Sequence, residues 1–260
     1  EMCIRDSRYT DGRGKIGPRG LAGRMAPGPM ACGSRCGCQR RIPDVRAVRH
    51  GLRLTLDLLR WPVGILALIG LPAAVRSLIG LGLSFHFDTW WPLWTALAAT
   101  VALWFMWWRH ARWGRFITTI EHEALHAIVA LLTLIPVREM KVREDGSGHV
   151  LFQPPGHWLL FLAPYFIPML LLAEIALVRM LGLPSPLETA LFGLLLGISL
   201  AGHLRQLHPR QTDFRMAGRV FTIAFLPTAF LLGYGIALSF IAGSGLSAPA
   251  LFLEAWAHDG

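Results

Sequence analysis

Glu121-His122-Glu123-Ala124-Leu125-His126-Ala127 reads HExxH inside an apolar run, Phe116 to Pro136. Residues four apart on a helix lie one turn above each other on the same face. His122 and His126 can therefore turn both imidazoles toward one metal ion, with Glu123 beside them to take a proton from an attacking water. Ionisable side chains in a membrane segment are costly and mark function by default. The bland alternative is a bundle interior in which the three side chains only hydrogen-bond to neighbours. Two imidazoles and a carboxylate on one turn still need partners there, and a metal supplies them.

The surroundings of this run set the fold class. Of 260 residues, 53% are hydrophobic and only 16% charged. Apolar runs of near-bilayer length recur along the chain, which predicts an integral membrane protein rather than a soluble domain. The fold expected is all-α and polytopic, with about six transmembrane helices and a small β-hairpin after the HExxH helix. Trp90, Trp91, Trp94, Trp104, Trp107 and Trp108 gather at the two ends of one run, where interfacial aromatics belong.

The formal charge of +9 does not point to nucleic acid. Residues 1–60 hold 13 Lys+Arg against 5 Asp+Glu, so nearly all the excess precedes the first apolar run. Basic residues beside a first span set orientation and touch anionic lipid. The expected partners are the lipid bilayer and a membrane protein substrate, with no nucleic acid. The oligomeric state is not legible. Cys3, Cys32, Cys36 and Cys38 form no familiar zinc knuckle and read as reduced or incidental thiols.

Residues 1–43 read as a disordered basic tail, rich in Gly, Arg and Pro. Met2 to Ser7 resembles translated sequencing-adapter DNA, which makes part of this tail artefactual and places a natural start nearer Met25 or Met30. No secretory signal pattern follows. Residues 44–60 read as an amphipathic juxtamembrane helix, with Arg46, Arg49, Arg53 and Arg60 at helical spacing. Residues 61–242 form the membrane domain, and 243–260 a C-terminal tail. The expected spans are Trp61–Leu83, Trp90–Trp108, Phe116–Pro136, His157–Arg179, Leu187–Gly202 and Val220–Ala242. Arg109, Arg112 and Arg115 after the second span, with the basic N-terminal region, place both on the cytoplasmic side. His122 and His126 then lie about 10–16 Å into their helix, within the bilayer but nearer the cytoplasm. Arg138 to Gln153, with Asp145-Gly146-Ser147-Gly148 at its centre, reads as the hairpin.

In this order, the membrane-embedded HEALH at His122–His126, the glycine-turned hairpin and Asp213 just before a later helix resemble the site-2 protease family of intramembrane zinc metallopeptidases. The likeness covers roughly Phe116 to Ala242. It implies Zn2+ held by His122, His126 and Asp213, with Glu123 as the catalytic base. The chain departs from better-known members in two places. Asp213 has no following Gly and no Asn-Pro-rich segment before it, and Leu162-Ala163-Pro164-Tyr165-Phe166 replaces a glycine-containing pattern. It therefore resembles a divergent branch.

The topology leaves the third ligand open. If every run from Phe116 to Gly202 crosses fully, Asp213 emerges on the face opposite the metal, unless Leu187–Gly202 is re-entrant or the hairpin region changes the count. Glu174 would then lie at a depth similar to His122, and His203 and His208 are further candidates. As implied by the resemblance, the activity is hydrolysis of peptide bonds in membrane-embedded or membrane-proximal segments, at a polar cleft open to the cytoplasm. A bacterial inner (plasma) membrane with the N-terminus cytoplasmic is the expected location. A membrane zinc hydrolase of a lipid or small amide, and a catalytically silent scaffold, are the competing readings.

Overall fold

The computed structural model describes residues 45–143, 145–153, 155–208, 211–243 and 247–259. The expected basic tail, the four cysteines and the adapter-like segment lie outside the described residues. The helices are α1 (Val45–Ile69), α2 (Leu71–Leu83), α3 (Phe87–Met106), α4 (Arg112–Leu132), α5 (Trp158–Leu162), α6 (Met169–Leu181), α7 (Ser185–Gln206), α8 (Thr212–Ala217), α9 (Arg219–Ala242) and α10 (Ser247–Asp259). Two strands, β1 (Val137–Val142) and β2 (Gly148–Phe152), lie between α4 and α5.

Local chemistry explains where these elements break. The amphipathic helix expected at 44–60 and the start of the first span are one uninterrupted helix, α1. The break falls instead at Gly70, where Pro72 opens α2 in the first turn that needs no proline N–H. The two helices meet at 54°. Phe166-Ile167-Pro168 produces a second break: Trp158–Tyr165 and Met169–Leu181 are also bent by 54°.

Two helices, α7 and α9, are long and apolar enough to cross a membrane singly, and counting each bent pair as one span gives up to four. The six crossings expected from the apolar runs are thus not all borne out. Non-helical backbone at Trp90 interrupts α3, and α4 carries Arg112, Arg115, Glu121 and Glu123. Large apolar side chains are nonetheless turned outward on α1, α3, α6 and α9, as at Leu58, Met106, Met180 and Ile223, where lipid can cover them. The chain is an integral membrane protein.

Two apolar clusters hold the bundle. One joins α4, α5 and α9 through Ala130, Leu160, Tyr165, Phe221 and Phe225. The other joins α3, α6, α7 and α9 through Leu93, Leu171, Phe192 and Ile241. A side chain at Gly193 of α7 would collide with the Leu93 carbonyl of α3, so the small residue lets the two backbones approach closely.

The hairpin forms where the sequence places it. β1 and β2 pair antiparallel, Met140 opposite Val150 and Val142 opposite Gly148, with an irregularity between Val137 and Glu139. Its turn uses Gly146 at φ +83°, a conformation side chains rarely adopt. Asp145 Oδ1 accepts from the Ser147 N–H at 2.8 Å and from its hydroxyl at 2.7 Å. These bonds hold the Asp145 carboxyl below the usual carboxylate range. The tip is tied to α4, because the Thr119 hydroxyl donates to the Gly146 carbonyl at 2.9 Å.

Candidate metal centre

Helical spacing brings the two imidazoles of α4 together, as the sequence predicts. Nε2 of His122 and Nε2 of His126 stand 3.2 Å apart. The third member is Asp213, in the first turn of α8, whose Oδ2 is 3.5 Å from each of these nitrogens. All three residues are buried. Among the described residues this is the one group of three or more His, Cys, Asp or Glu able to hold a metal. Glu174 on α6 and His203 on α7 are not part of it, and neither is His208. Nor does Asp213 cap its helix, for the position before α8 is Gln211.

Whatever the number of crossings, the structure brings Asp213 beside both histidines.

The proton positions follow from the partners. His126 Nδ1 lies 2.8 Å from the Leu160 carbonyl, which can only accept, so Nδ1 carries the hydrogen. His122 Nδ1 lies 2.9 Å from the side-chain oxygen of Gln206. That amide is oriented by its own nitrogen, which donates to the Thr118 carbonyl at 2.9 Å. In both neutral rings Nε2 is then a bare lone pair, and the two lone pairs face each other and a carboxylate. The Tyr165 hydroxyl donates to Oδ2 at 2.8 Å. Such a group of electron-pair donors is suited to hold a metal cation.

The spacing fits zinc. Two ligand atoms about 2.0–2.1 Å from a tetrahedral ion stand about 3.3 Å apart. The three separations here, 3.2, 3.5 and 3.5 Å, bracket that value. The hydrogen bonds from Nδ1 to Leu160 and Gln206 are the kind of outer support that fixes tautomer and ring orientation in metal sites.

Glu123 is fully buried, and neither of its carboxylate oxygens has a hydrogen-bond partner among the described residues. With His122 it borders a polar cleft of about 200 Å³ between α4, the hairpin tip and the end of α7. Gly148 makes room for it: an added Cβ would stand 2.9 Å from Glu123 Cγ and 2.7 Å from Thr119 Cγ2. An unsatisfied buried acceptor at the edge of a polar cleft is suited to take a proton from a molecule entering it.

Sequence reasoning did not assign Gln206, Tyr165, the Leu160 carbonyl or Gly148 a part. Tyr165 stands in the segment Leu162–Phe166 that departs from the family pattern, and Gln206 lies between the candidates His203 and His208. Nothing in the spacing marks them as supports, because their roles depend on contacts between distant segments.

A family model described as Peptidase M50B-like matches residues 94–256. Those residues include α4, the hairpin and α8, hence every member of the metal group. No curated protein and no solved structure matches the chain significantly.

Proposed function

This chain belongs to the Peptidase M50B-like family, and from that premise we propose that it is an intramembrane zinc metalloprotease acting on membrane-embedded or membrane-proximal protein segments. The family points to a metallopeptidase. The finer assignment rests on one observation above others: two Nε2 lone pairs and an anionic Oδ2 converge at tetrahedral-edge distances in a membrane bundle.

In this reading His122, His126 and Asp213 hold the zinc. When bound, zinc acts as a Lewis acid and lowers the pKa of water toward neutrality. Glu123 accepts the proton of the attacking water and passes it to the leaving amine, a shuttle its unpaired carboxylate is free to perform. Gln206 and the Leu160 carbonyl keep the imidazoles in the tautomer that leaves Nε2 bare. Tyr165 holds the Asp213 carboxylate in place.

The hairpin supports a peptide substrate over a lipid or small amide. Its two strands pair with each other and with no other described strand. β2 begins at Gly148, beside Glu123, so its open edge can receive an extended segment next to the base. A helical substrate must unwind to use that edge, which exposes its amide to attack.

The test is Glu123→Gln in purified protein with a membrane-protein substrate. Zinc should be retained and cleavage should fall by about 10²–10⁴-fold. Cleavage at the wild-type rate would refute the assignment. A lipidomic difference with no proteolytic product would favour the lipid hydrolase instead.

A further inference from the structure

A second cavity, about 780 Å³, opens between the C-terminal ends of α3 and α7 and the start of α4. Arg115 and Arg205 line it together with His110, and the two arginines also line the polar cleft beside Glu123. Arg115 spends its hydrogen bonds on backbone, Nε to the Asp145 carbonyl at 3.2 Å and Nη1 to the His110 carbonyl at 3.1 Å. Among the described residues neither arginine forms an ion pair with an acid. The Asp145 carboxylate feels the Arg115 charge without forming an ion pair with it, and accepts its hydrogen bonds from Ser147. Two guanidinium groups on one wall repel each other, and an anion with several acceptor oxygens relieves this.

The rest of the wall excludes a merely water-soluble anion as the best fit. Val101 and Phe105 of α3 face Leu200 and Leu204 of α7. Phe105 and Leu204 are more than half exposed, so the apolar part of the cavity opens on the outside of the bundle. Among the described residues no hairpin residue borders it, so an acidic peptide would find no strand edge there. Cationic at one end and apolar along the helices, the cavity has the polarity of a lipid, and basic pockets between membrane helices bind anionic headgroups.

We propose that this cavity binds an anionic glycerophospholipid, its phosphate between Arg115 and Arg205 and its acyl chains along α3 and α7. Because the same two arginines border the catalytic cleft, the headgroup sits at the cleft's margin. The proposal stands apart from the zinc reading, since lipid retention is measured without turnover.

The test is native mass spectrometry of the full chain in detergent with phosphatidylglycerol or phosphatidylcholine, and with inorganic phosphate as competitor. Wild type should retain phosphatidylglycerol preferentially, and Arg205→Gln should weaken that retention about fivefold, the contribution of one basic residue near a lipid headgroup. Leu200→Trp fills the apolar part with both arginines intact and should also reduce retention. It decides the matter alone if Arg205→Gln fails to fold. Equal retention of the two lipids, or retention unchanged in both variants, would overturn the proposal. Full displacement by millimolar phosphate would make this a free-anion site, and an Arg205-dependent acidic peptide that excludes the lipid would make it a peptide site. Either result overturns the lipid assignment.

Discussion

The side-chain oxygen of Gln206 stands 2.9 Å from Nδ1 of His122, and this contact decides which nitrogen of the ring is left to bind a metal. Gln206 closes α7, far from α4 in sequence, so the metal group depends on the packing of two helices as well as on one motif. Gln206→Leu removes the acceptor and frees the ring to rotate or change tautomer. Zinc affinity should fall about 10–100-fold, read by competition with a chromogenic chelator. Gln206→Glu keeps an acceptor and should retain most of the affinity.

Tyr165 and Asp213 form the second support. Tyr165→Phe leaves the carboxylate without its hydroxyl donor and should weaken zinc binding about tenfold. Asp213→Asn replaces the anionic ligand itself and should cost more than Tyr165→Phe in the same assay. The reverse order would mean that Asp213 serves only the hydrogen bond to Tyr165.

Glu174 separates this account from one based on depth in the membrane. It lies on α6, outside the metal group. Glu174→Gln should leave zinc stoichiometry and affinity unchanged. A loss comparable to that of Asp213→Asn would show that the resting arrangement of α8 is not the one that binds metal.

Gly148→Ala probes the base without touching a ligand. The new methyl meets Glu123 Cγ at 2.9 Å and Thr119 Cγ2 at 2.7 Å, and the buried carboxylate must shift. Misplacing a catalytic group by about 1 Å costs about 100-fold. The variant should keep its zinc and lose turnover on that order, with KM for a peptide substrate changed less than kcat.

The legible and illegible parts of this molecule divide along contact range. His122, Glu123 and His126 were readable because four residues on a helix fix a face. The hairpin was readable because Asp145-Gly146-Ser147-Gly148 has turn chemistry of its own. Asp213 was reachable only through the family likeness, since no local rule brings α8 to α4. Glu174 seemed a rival because depth along a helix says nothing about which way a side chain points. The count of six spans came from apolar runs alone. Of these, length and composition support α7 and α9 singly, and up to four spans when each bent pair is counted as one.

Metal analysis of the purified protein tests the central claim most directly. Wild type should contain one zinc per chain, and His122→Ala, judged folded by its thermal transition, should contain none. A wild type with no stoichiometric metal, or a His122→Ala protein that keeps the wild-type amount, would contradict the account.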